Sequence, residues 1–287
     1  MQAVEANAAL GVLAARLAGA GSAAERVAGF EAAYRHVAEW RYQVAVQGEW
    51  TRPGASADDV RETIGDGGYM RYRLTPGSGR REPGSPAWKL LSELERVALK
   101  RLGREQQVQN VVTLRDGTTV NGNQLHLVAA PRDRETGATF PGHPDYVATQ
   151  TATYANREVL RRASFEALAE LEGLRAAGTA DVRDPAQRQA FVDAAYFLVQ
   201  GPEFRRGSDA IMRTFLVAAH ARVFDRAPVL PHAIDLDGMV RGQDAFSQVM
   251  RDQLRVLPSA DESGLAATGA DRAPRDRGVR RTGGIAR

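Results

Sequence analysis

Residues 201–216 read GPEFRRGSDAIMRTFL. Gly201 and Pro202 break a preceding helical pattern, and Ile211, Met212, Phe215, Leu216 and Ala219 fall on one stripe of a helix that starts near Ser208. Two adjacent arginines, Arg205 and Arg206, stand where that helix begins. The positive end of a helix dipole repels cations, so the pair predicts an anion at the same place. Gly207 permits a positive φ, and with Ser208 and Asp209 it leaves backbone N–H groups free to hold a phosphate or carboxylate. Arg213 is expected to reach the same mouth from the helix face. Glu203 and His220, the latter two turns beyond Arg213, are further candidates. A plain helix start, with the arginines solvated or paired to Glu203 and Asp209, is the competing reading.

Working outward, Asp184-Pro185 is an N-cap followed by proline at the first helical position, and predicts a helix over 184–200. Ser85-Pro86 repeats the device and opens a helix running to about Leu102. Ser22 and Glu25 have capping-box spacing ahead of a long helix with Val27, Phe30, Tyr34, Val37 and Trp40 on one face. An alanine-rich helix precedes it, from about Glu5 to Leu17. Residues 51–84 are rich in Gly, Pro and charge and read as loop, with one short strand candidate over 69–74. The β-rich stretch is 109–130, where Asp116-Gly117 and Asn121-Gly122 are both hairpin-turn signals. Helical pattern resumes at about Val147 or later and runs to Leu174. A last helix is expected near 234–254.

The predicted architecture is therefore mainly α, with one small β-ribbon. Residues 1–84 form an N-terminal helical region and loop. Residues 85–257 form the main helical domain, and 258–287 a disordered basic tail poor in apolar residues.

Composition narrows the function classes. The chain of 287 residues has no cysteine, which removes disulfide frameworks and thiolate metal sites. Its 38 Lys+Arg include only two lysines, Lys89 and Lys100, and the net charge of +3 is too small to argue for nucleic acid. No unbroken apolar run suggests a leader or a membrane span, so a cytoplasmic protein is expected, with leaderless secretion as an effector left open. The five histidines lack metal-ligand spacing. No P-loop, dinucleotide-binding or nucleophile-elbow motif is present.

The helix–loop–helix around 201–216 resembles the active-site element of the Fic/Doc (Fido) superfamily, H-x-F-x-[DE]-G-N-G-R-x-x-R. Phe204, Gly207 and Arg213 match that pattern, and the likeness extends over roughly 85–255. The resemblance implies a Fido-like helical domain in which the ribbon serves as a flap that docks an acceptor. It also implies a transferase using a nucleotide or nucleotide-sugar donor.

The departures are specific. Pro202 stands where the family has its general-base histidine, and Arg206 where it has the carboxylate for Mg²⁺; Ser208, Asp209 and Ala210 replace Asn, Gly and Arg. Metal-dependent transfer in the family's usual manner is thereby argued against, and no other general base is identified. Two readings follow: a divergent transferase that holds a phosphorylated donor without metal, and a non-catalytic binding or interaction protein.

Overall fold

The computed structural model describes residues 1–48, 56–74, 82–130, 136 and 145–257. In chain order the elements are helices α1 (Gln2–Leu17) and α2 (Ala23–Val46), a short 3-10 turn (Ala57–Val60), strand β1 (Met70–Arg73), α3 (Pro86–Leu102), β2 (Gln107–Thr113), β3 (Thr119–Val128), β4 (Tyr146–Gln150), α4 (Tyr154–Ala176), α5 (Pro185–Gln200), α6 (Ser208–Phe224), β5 (Pro228–Val229), α7 (Ile234–Arg241), α8 (Gln243–Gln253) and β6 (Arg255–Val256). The fold is mainly helical with a small antiparallel sheet. The expected tail, 258–287, lies outside the described residues.

The helix starts follow local chemistry. Ser22 Oγ accepts from Glu25 N at 3.2 Å while the Glu25 carboxylate accepts from Ser22 N at 2.9 Å, the reciprocal capping box. Asp184 accepts from the N–H groups of Ala186 and Gln187 ahead of α5, and Ser85 accepts from Trp88 N ahead of α3.

α1 and α2 pack on each other and on α6, and α2 and α5 also lie against α4. Phe30, Tyr34, Phe165 and Phe215 meet at the centre of this bundle, with ring centroids 5.5–6.4 Å apart. The N-terminal helices thus share one core with α4–α6, and Met1–Val256 forms a single compact unit. A second apolar cluster, including Leu74, Leu91, Leu94 and Leu125, seats α3 on the sheet.

The sheet is larger than the sequence suggests. It has four strands in the order β1-β4-β3-β2, all antiparallel. Asp116-Gly117 makes the β2–β3 turn as expected, with Gly117 at φ 87° and Leu114 N bonded to Thr118 O at 2.8 Å. Two expectations are corrected here. Asn121-Gly122 is not a turn: both residues lie inside β3, opposite a register shift in β2. Glycine is needed there for close approach, because a Cβ on Gly122 would sit 2.2 Å from the Gln200 Oε1 atom. Likewise 146–150 is a strand, not the start of a helix. Val147, Ala148 and Thr149 are all buried in the sheet, and α4 begins only after the Thr153 cap. The last helix is two, broken at Gly242 (φ 82°).

A buried polar chain ties the ribbon to the helices. Arg101 donates to Asn110 Oδ1 (2.6 Å) and to the Val240 carbonyl (2.6 Å). Asn110 donates to Asn123 Oδ1 (2.6 Å), and Asn123 N to Gln200 Oε1 (2.8 Å). Gln200 is the last residue of α5, so β3 is fixed at the helix end that leads into the 201–207 loop.

Candidate functional site

α5 ends at Gly201, whose N–H bonds to Phe197 O at 2.8 Å. A Cβ at this position would lie 2.8 Å from Arg157 O and 3.0 Å from Arg161 N, both backbone atoms of α4. The absent side chain lets the two helices cross closely, and that crossing sets where the loop leaves. Gly201→Ala should therefore cost about 1–3 kcal/mol by forcing the helices apart. Urea unfolding checks this, and an unchanged midpoint would show that the crossing yields freely.

Beyond Gly201 the loop is held by the segment before β1. Ile64 N donates to Glu203 O (3.0 Å) and Arg205 N to Glu62 O (2.9 Å), while Thr63 and Phe204 form an antiparallel bridge. Val60 and Ile64, 2% and 1% exposed, anchor that segment in the interior. The Ser208 hydroxyl closes the loop on itself, donating to Phe204 O at 2.7 Å and accepting from Phe204 N at 3.3 Å. Gly207, at φ 77°, is the N-cap of α6, and no side chain caps the helix. The first N–H groups of α6 thus have no partner in their own helix. Arg41 of α2, which sequence reading passed over, stands against Gly207: a Cβ there would meet the Arg41 side chain at 3.2 Å.

Each arginine singled out from the sequence has an acidic partner. Arg205 pairs with Glu62 (2.5 Å) and stacks over Tyr69 at 5.3 Å. Arg206 pairs with Asp59 (3.1 Å). Arg213 pairs with Asp209 (2.7 Å) and Asp235 (3.5 Å), and also donates to the carbonyls of Pro231 (2.8 Å) and His232 (2.6 Å). The two loop arginines are about one-third exposed; Arg213 is mostly buried and fastens the 231–235 segment to α6.

Asp209, Asp235, Arg71 and Tyr34 line an interior cavity of only about 10 Å³, room for roughly one water. Burial, reinforced by Asp235, pushes the Asp209 carboxyl above the usual carboxylate range, and Arg213 opposes the shift. The Tyr72 hydroxyl donates to Asp235. A phosphate group does not fit on this inner side. Arg205 and Arg206 are absent from the lining of this cavity and are partly exposed on the outer side of the loop. Among the described residues no three His, Asp or Glu side chains are grouped to hold a metal ion.

The remaining two candidates separate. His220 is 1% exposed, with its ring 4.8 Å from Phe191 and 4.9 Å from Phe224. Its Nδ1 lies 2.6 Å from the Arg226 carbonyl, which can only accept, so Nδ1 carries the proton. It is a core histidine and does not join the loop, because two helical turns carry it into the apolar interior. Glu203 lines a cleft between α2 and α4.

No protein-family model matches the chain, and no curated protein matches it. Among the described residues no helix is long and apolar enough to cross a membrane.

Proposed function

We propose that this chain is a Fic/Doc-like binding module that recognises a phosphorylated small molecule, such as a nucleotide or nucleotide sugar, at the start of α6, and that it does so without transfer chemistry. The observation that carries this reading is the pairing of Arg206 with Asp59 at 3.1 Å, in a loop whose position 202 is proline. The position of the family's metal ligand is cationic and already neutralised, and the position of its base holds no ionisable group. Half-exposed ion pairs of this kind contribute only about 0–1 kcal/mol. Charge-assisted bonds to phosphate contribute about 1.5–3 kcal/mol each, so a phosphate can displace Asp59 and Glu62 and take Arg205, Arg206 and the α6 N–H groups. Arg213, Ser208 and Asp209 then shape the site rather than touch the ligand.

Calorimetry with nucleotides and nucleotide sugars tests the reading. Binding is expected to survive EDTA and to weaken about tenfold or more in Arg205→Ala and in Arg206→Ala. Absence of binding, or affinity that depends on Mg²⁺, would overturn it. The transferase reading keeps one favourable observation: the Glu203 carboxylate, adjacent in sequence to Pro202, has no hydrogen-bond or ion-pair partner among the described residues. Transfer of a labelled group to an acceptor on the ribbon would decide for catalysis.

A further inference from the structure

Glu203 lines a cleft of about 420 Å³ between α2 and α4, a size typical of small-ligand sites. One side of it is apolar and aromatic, built from Val27, Tyr34 and Phe165 with the two rings 5.7 Å apart, and the rest of the lining is largely charged. Three arginines ring it, and each is matched on its own helix: Arg35 with Glu31 (2.5 Å), Arg161 with Glu158, and Arg162 with Glu166 (2.8 Å). Glu203 comes from the loop instead, and its carboxylate has no such match among the described residues. Tyr34 is 3% exposed and lines the cleft, and its hydroxyl has no hydrogen-bond partner among the described residues.

Glu203, whose charge is not neutralised, and Tyr34, which lines both this cleft and the small inner cavity, thus border a space with one apolar side. The geometry points to this cleft as a binding site for an organic cation that carries N–H donors on an apolar or aromatic body: an amidinium, guanidinium or primary ammonium. The cation meets Glu203 and donates to the Tyr34 hydroxyl, while the body lies on the Val27–Phe165 wall. The three arginines are already matched by Glu31, Glu158 and Glu166, so the charge left over in the cleft is that of Glu203, which repels an anion and attracts a cation. The site is separate from the outer face of α6, so it stands or falls independently of nucleotide binding.

Three isosteric probes separate charge from shape: benzamidine, benzamide and benzoate, titrated at low salt by calorimetry and by changes in aromatic NMR resonances. Benzamidine is expected to bind saturably and the other two not. Glu203→Gln should weaken benzamidine about tenfold or more, the effect of losing one charge-assisted contact. It should keep the wild-type melting temperature, since that carboxylate has no partner to lose. Tyr34→Phe should weaken it by a smaller factor. Binding of benzoate in preference to benzamidine would assign the cleft to the arginines and overturn the proposal. Unchanged benzamidine affinity in Glu203→Gln, or no binding of benzamidine at all, would overturn it equally.

Discussion

Replacing Arg157 by leucine is expected to cost about 3–5 kcal/mol of stability and to lower Tm by roughly 10 °C. Arg157 is 2% exposed, yet its guanidinium forms no ion pair among the described residues. It donates instead to backbone carbonyls, those of Ala152 and Ile64 and, at 3.2 Å, Gly65. Burial pushes its pKa down, with Arg161 nearby adding to the effect. Leucine fills the volume but leaves the carbonyls without a donor, and each unsatisfied buried group costs about 1–3 kcal/mol. Two of these carbonyls, those of Ile64 and Gly65, belong to the segment that presents Glu62 and Asp59 to Arg205 and Arg206. Ligand affinity at the α6 start should therefore change along with stability. Arg157→Lys, which keeps the charge but cannot fork, should recover only part of the loss. Urea unfolding measures both, and a loss below about 1 kcal/mol would mean that the carbonyls find other donors.

His220 should make the protein acid-sensitive in a defined window. Burial pushes its imidazole down to about 4, partly offset by the bond to the Arg226 carbonyl, whereas a histidine in the unfolded chain titrates near 6.5. Between these values the unfolded state binds more protons than the folded one. Stability therefore rises with pH across the window and is lost as pH falls from about 6.5 toward 4. The whole difference corresponds to about 3 kcal/mol. Asp209 and Asp237 act in the opposite sense. Their carboxyls are raised, chiefly by burial, so their contribution grows as pH falls through the carboxylate range. The His220 contribution is isolated by comparison with His220→Leu. The stability of the wild type relative to that variant should shrink by about 3 kcal/mol between pH 7 and pH 4. Parallel pH profiles for the two proteins would refute the assignment, as would an imidazole NMR signal that titrates near 6.5.

The sequence by itself determined what depends on neighbours within a turn or two. The Ser22–Glu25 box, the Ser85 and Asp184 caps, the Asp116-Gly117 turn and the positive φ at Gly207 are closed by bonds spanning a few residues. The loop between α5 and α6 was legible for the same reason, from Gly201-Pro202 and the apolar stripe of α6. Tertiary structure decided everything that depends on partners far along the chain. Asn121-Gly122 has the local chemistry of a turn, but Gln200, bonded to Asn123 across 77 residues and set close against Gly122, makes it a strand at a close approach. The 146–150 stretch is a strand because β1 and β3 lie on both sides of it. Nothing in the stretch NREVLRR separates the buried Arg157 from the exposed Arg162, because carbonyls 92 and 93 residues away claim it. The paired arginines that announced an anion at α6 meet one in Asp59 and Glu62, supplied by a segment that reads as featureless loop. Local chemistry could specify that negative charge is needed there. Only the folded chain could specify that its own carboxylates provide it, since ion pairing has no fixed sequence spacing outside a helix.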